Sequence, residues 1–180
     1  DWTCTQSMIS ADLTIDGRPR KVLMQAPKNG FFYVLDRGTG ELLRADAYTP
    51  LNWASRVDMS TGRPVLTGYA DYSRGEAFVF PGAPGGHAWQ PMAYSPRTGL
   101  VYIPVYDSGM KIHDVQPAFY LPGTLNQGSW GSFPPFTGRG DAEELARQGI
   151  EPRFEGRLKA WNPVTGQVAW QTEPLAFINS

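Results

Sequence analysis

This chain is poor in the residues that usually announce chemistry. It has one cysteine, Cys4, so no internal disulfide can form. Its two histidines, His87 and His113, have no partners at metal-ligand spacing and read as structural or exposed residues. There is no CxxC, CxxCH, HExxH, phosphate-binding P-loop or GxSxG sequence, so the common zinc, haem-attachment, nucleotide and hydrolase signatures are missing. No apolar run approaches the ~20 residues of a membrane-spanning helix. Helix formers concentrate only in Asp141 to Gln148, about two turns. A net charge of −1 gives no footprint for nucleic acid or an anionic membrane. The chain opens on Asp1-Trp2-Thr3 with neither an initiating Met nor a signal peptide, which predicts an excerpt from a longer polypeptide.

What is abundant points to β structure: 20 Gly, 16 Pro and 13% aromatic residues. One short phrase recurs four times, as Asp36-Arg37-Gly38-Thr39-Gly40, Asp58-Met59-Ser60-Thr61-Gly62, Ser95-Pro96-Arg97-Thr98-Gly99 and Asn162-Pro163-Val164-Thr165-Gly166. Asp, Asn or Ser opens such a turn through a side-chain-to-backbone hydrogen bond. The terminal Gly supplies the positive φ that closes it. Recurring turns between strand-like runs predict an all-β repeat array, a β-propeller.

Residues 8–44 read as a four-stranded antiparallel meander, the size of one propeller blade, with Asp16-Gly17 as its first hairpin turn. Residues 48–89 read as loop-rich. Ala88 to Pro104 restarts the pattern, residues 107–155 form a long insertion carrying Trp130, Phe133 and Phe136, and Arg157 to Trp170 resumes the blade. The whole of 1–180 is then one partial propeller domain of two and a half to three blades, too few to close a ring of roughly four to eight. Taken alone, Asp1 is a terminal residue, Lys28 a solvated turn lysine, Trp53 and Trp89 core aromatics, and Cys4 a small buried apolar residue in a strand.

Several stretches carry more: Asp1-Trp2-Thr3-Cys4-Thr5-Gln6, Met24 to Arg37, Asn52-Trp53-Ala54, Gly86-His87-Ala88-Trp89-Gln90-Pro91-Met92 and Gly156 to Pro163. In them the chain resembles the pyrroloquinoline quinone (PQQ)-dependent alcohol dehydrogenases, and looks most like the quinohaemoprotein and membrane-bound ethanol dehydrogenases. The resemblance implies about three blades of an eight-bladed propeller with PQQ and a calcium ion in an axial funnel. It places the catalytic base at Asp1, which also approaches the calcium. Lys28 falls on the residue that hydrogen-bonds the quinone oxygens, and Trp89 on a Trp beside the cofactor. Ala88 departs from the pattern, which has Asn there. Thr3 stands where lanthanide-using relatives carry an additional Asp, and so favours calcium. The terminal Trp170 matches a tryptophan that docks on the neighbouring blade. The resemblance also implies a small alcohol substrate, a cytochrome or haem-domain electron acceptor, haem c in a domain outside this chain, and a periplasmic setting.

These residue types suit that chemistry. A carboxylate beside a divalent cation stays ionised and can accept a hydroxyl proton. Calcium takes oxygen donors, and an ammonium stabilises negative charge developing on a quinone. The competing reading is a non-catalytic propeller scaffold for protein binding, which needs neither Asp1 nor Lys28.

Overall fold

The computed structural model describes residues 2–115, 120–124, 126–151 and 153–175. Four strands open the chain: β1 (Ile9–Ile15), β2 (Arg18–Gln25), β3 (Phe31–Asp36) and β4 (Leu42–Ala47). They form an antiparallel sheet in that order, so the expected meander is present. Asp16 and Gly17, with φ of 51° and 72°, make the two-residue turn that sets the register Ile15↔Arg18. Positive φ at both central residues matches the right-handed twist of the flanking strands.

The four repeat turns are built alike. The amide of Gly40, Gly62, Gly99 and Gly166 donates to the carbonyl of the residue four positions earlier, at 2.7–2.9 Å. Each of these glycines has φ between 68° and 78°. Asp36 Oδ1 accepts from the Gly38 and Thr39 amides, Asp58 Oδ1 from Ser60, and Asn162 Oδ1 from Val164 and Thr165. The amide bonds hold the Asp36 carboxyl below the usual carboxylate range, and the Ser60 hydroxyl, donating to Asp58 Oδ1 at 2.7 Å, together with the Ser60 amide does the same for Asp58.

A hairpin, β5 (Ala54–Asp58) and β6 (Arg63–Leu66), follows, and then the three-residue β7 (Ala77–Val79). A second four-stranded sheet is assembled from two separate stretches: β8 (Ala93–Ser95) with β9 (Leu100–Ser108), and, after a long excursion, β12 (Phe154–Asn162) with β13 (Gln167–Gln171). Its order is β13-β12-β9-β8. The excursion contains β10 (Met110–Asp114), β11 (Ser129–Ser132) and helix α1 (Asp141–Arg147). Strand β10 pairs with both β7 and β11, giving a third sheet. Residues 48–89 and 107–155 therefore hold strands that the sequence pattern does not display.

The two four-stranded sheets pack face to face. Alternate residues Val22, Met24, Phe32 and Val34 of the first meet Val101, Ile103, Val105 and Trp161 of the second in one core. Full burial of each such side chain contributes about 1.5–3 kcal/mol. The opposite face of the first sheet, around Phe31 and Tyr33, packs against Ala54 and Val57 of the hairpin. Phe78, Phe80 and Leu145 form a third cluster, joined by Phe136 and Ile150. Sheets stacked face to face along the chain are the arrangement of a partial propeller.

The contact between the first two sheets includes a repeat turn. Arg44 Nη2 donates to Thr165 O at 3.0 Å, and a Cβ on Gly166 would lie 2.4 Å from Asp46 Cγ. Trp161 reaches across to Phe32, with centroids 5.8 Å apart. Trp170 instead packs on Tyr102 of its own sheet at 5.8 Å and is 45% exposed. Cys4 is exposed and precedes β1, which corrects the expectation of a buried strand cysteine.

Candidate functional site

The turn between β2 and β3 carries Lys28. Asn29 shapes it by accepting the Phe31 amide on Oδ1 at 3.1 Å and donating from Nδ2 to Tyr33 Oη at 2.9 Å. Gly30 then closes it at φ 94°. Lys28 is half-buried, and among the described residues no ion pair or side-chain hydrogen bond engages its ammonium.

A glycine-rich loop presses on this turn. Gly86 N donates to Lys28 O at 2.9 Å, and Tyr106 N donates to Gly86 O at 2.8 Å. A Cβ on Gly85 would lie 2.5 Å from Lys28 Cβ, and one on Gly86 would lie 2.4 Å from Thr49 Cγ2. Gly85 must be glycine because its backbone meets that of Lys28, whose Cα would lie 2.7 Å from an added Cβ, and Gly86 because the Thr49 methyl and Tyr48 hydroxyl fill the space beside it. The segment Pro81 to Gly86, which lacks any strand pattern, is thus an ordered connection.

His87 completes the seam. It is fully buried, with Nδ1 2.7 Å from Ala26 O and Nε2 2.7 Å from Gln90 O. Only the doubly protonated ring can donate to both carbonyls, yet burial outweighs them and pushes the imidazole pKa below its ordinary value. His87 is therefore structural, as its lack of ligand-spaced partners suggests.

The N-terminal segment crosses the same place. Gln6 donates to His87 O at 2.9 Å and its own carbonyl accepts from Gln25 Nε2 at 2.8 Å. Trp2 Nε1 reaches Gly82 O at 3.4 Å, and its ring lies 4.8 Å from that of Trp53, whose Nε1 donates to Asn29 O at 2.9 Å. The sequence neighbours of the three candidate residues thus converge: Trp2 beside Asp1, the Lys28 turn, and the Gly82–His87 loop leading to Trp89. Asp1 itself lies outside the described residues.

Trp89 is 67% exposed. It lines an apolar cleft of about 380 Å³ with Pro91, Pro104, Val105, Tyr106 and Leu158, and Lys28 is not part of that cleft. Loop and turn are joined, but the two candidate side chains do not line one cavity. Asn52 is structural: its side chain donates to Phe78 O at 2.7 Å and Gln148 Oε1 at 2.6 Å and accepts from Phe80 N at 2.9 Å.

A flat, polyanionic quinone fits part of this arrangement, namely a lysine with no ion pair among the described residues, on a turn pressed by backbone that only glycine permits, with the Trp53 indole bonded to the same turn. Calcium fits less well, because no group of three or more His, Cys, Asp or Glu able to hold a metal occurs among the described residues. Sequence inspection also misses a buried ionic cluster of Asp107, Arg157 and Lys159 between the first two sheets. Its members are separated by the long excursion, and no local pattern marks them.

The chain is a slice of a β-propeller presenting a glycine-cradled lysine at one end of its sheets. No protein-family model matches the chain. A quinohemoprotein alcohol dehydrogenase of Pseudomonas putida is 42% identical over 99% of this chain and 25% of its own length. A lupanine 17-hydroxylase (cytochrome c) of a Pseudomonas species is 46% identical over 99% of this chain and 24% of its length. Among solved structures, a quinohemoprotein alcohol dehydrogenase from Comamonas testosteroni superposes with a TM-score of 0.80 at 35% identity, over 98% of this chain and 25% of that one. A europium-containing methanol dehydrogenase does so with a TM-score of 0.77 at 30% identity, over 93% and 27%. The chain belongs to the quinohemoprotein alcohol dehydrogenase family as a partial chain, spanning about a quarter of the length of the curated relatives it matches.

Proposed function

We propose that this chain supplies part of the cofactor funnel of a PQQ-dependent dehydrogenase that oxidises primary alcohols to aldehydes. The observation that carries the reading is Lys28, whose ammonium has no ion pair among the described residues and whose turn lies where the Trp2 segment and the Gly82–His87 loop meet. PQQ, when bound, supplies a two-electron hydride acceptor. Lys28 would hold its quinone oxygens and offset negative charge there. Trp89 contributes an apolar face at the rim. Asp1 takes the hydroxyl proton of the alcohol, so that the substrate loses one hydride and one proton.

Calcium enters the proposal through Asp1, with Thr3 in place of a second carboxylate. The described residues do not by themselves fit the ion. A cytochrome, or a haem c domain outside this chain, would accept the electrons, in a periplasmic setting. The scaffold alternative has no use for a half-buried lysine that makes no ion pair among the described residues at this convergence.

The test is Asp1→Asn in the intact parent protein. Alcohol-dependent dye reduction should be abolished while PQQ stays bound, and turnover at the parent rate would refute Asp1 as the base.

A further inference from the structure

The buried ionic cluster leads to the site through a continuous set of bonds. Asp107, Lys159, Thr49 and Tyr48 are all buried where the first two sheets meet. Lys159 Nζ lies 3.3 Å from Asp107 Oδ1 and donates to Tyr48 O at 3.0 Å. Tyr48 Oη in turn donates to Pro27 O at 2.6 Å, one residue before Lys28. Thr49 Oγ1 lies 2.9 Å from the same Asp107 oxygen, and its methyl occupies the space a side chain on Gly86 would need. Arg157 Nε stands 3.3 Å from Asp107 Oδ2 as an ion pair without hydrogen-bond geometry.

A buried ion pair is weak evidence for stability, because well-packed apolar residues of similar volume often replace one without loss. What apolar residues cannot reproduce is direction. Here the directed bonds reach three backbone carbonyls, Tyr48 O, Pro27 O and, from Thr49 Oγ1 at 3.2 Å, Tyr106 O. The second belongs to the turn that presents Lys28.

We propose that Asp107 and Lys159, acting through Tyr48 and Thr49, are positioning residues that fix the Lys28 turn and the Gly85–Trp89 loop against each other. This rests on the reading of Lys28 as the quinone-binding lysine for its functional consequence, but not for its geometry.

Two readouts in the intact parent protein separate these. The first is trace acylation followed by mass spectrometry, taking the Lys28 rate relative to the exposed Lys21 of the same sheet. Tyr48→Phe, which loses one directed bond, and Lys159→Met, which loses two, should each raise this ratio at least about two-fold. The second is PQQ affinity by fluorescence quenching. Tyr48→Phe should weaken it about five-fold, the equilibrium value of one neutral hydrogen bond. Tyr48→Phe keeps the ring and the ion pair, so it reports even where Lys159→Met does not fold. An unchanged labelling ratio together with unchanged affinity in a folded Tyr48→Phe protein overturns the proposal. A parent that binds no PQQ overturns the functional reading instead, while the labelling ratio still decides the brace.

Discussion

Gly166 tests whether the repeat turns hold adjacent sheets together or merely reverse the chain. The residue occupies the same motif position as Gly99, and their φ values are 68° and 69°. Placing Ala at either one costs about 1–2 kcal/mol for the left-handed backbone, partly offset by about 0.4–1 kcal/mol from a stiffer unfolded chain. The surroundings differ. An added Cβ at Gly99 meets nothing within 4 Å, whereas at Gly166 it lies 2.4 Å from Asp46 Cγ and 2.6 Å from Arg44 Nη2. The carboxylate must then move, which breaks the Arg44–Asp46 pair or the bond from Arg44 to Thr165 O. Overpacking and one lost hydrogen bond add about 1–3 kcal/mol. Urea unfolding of the intact protein should therefore show Gly166→Ala destabilised by at least about 1 kcal/mol more than Gly99→Ala. Adding Asp46→Ala should recover most of that excess in a double-mutant cycle. Equal losses at Gly99 and Gly166, with no coupling to Asp46, would refute the inter-sheet contact.

Two further outcomes follow from buried polar groups. The depressed pKa of His87 means the unfolded chain takes up its proton first, so stability is present above about pH 6.5 and is lost as pH falls below it; melting curves from pH 7.5 to 5 should show this loss, reduced in His87→Gln, and a gain on acidification would mean the two carbonyls outweigh burial. Asn52→Leu strands the Phe80 amide and the Phe78 carbonyl without partners, at about 1–3 kcal/mol for each buried group, and should lower the urea midpoint, whereas an unchanged midpoint would show that water replaces the lost bonds.

The sequence discloses those features whose cause is local. The repeat turns are legible because an Asx side chain and one Gly define them, and the first sheet because alternation and Asp16-Gly17 fix its register. Strands β7 and β10 are not legible, since three and five residues paired across the chain have no periodicity of their own. The β5–β6 hairpin shows its turn but not its strands, whose exposed positions hide the alternation. At the site, the resemblance points to Lys28 and Trp89, and the structure joins their loops without placing both side chains in one cavity. Asp107 and Lys159 leave no trace in the sequence because their meeting depends on how two sheets stack.

The most direct test of the account is a crystal structure of the parent protein with PQQ bound. It should place Lys28 Nζ within about 3.2 Å of a quinone oxygen, with the Gly85–Gly86 backbone against the lysine stem as described. PQQ seated in the funnel with that ammonium turned away and beyond hydrogen-bond reach would contradict it.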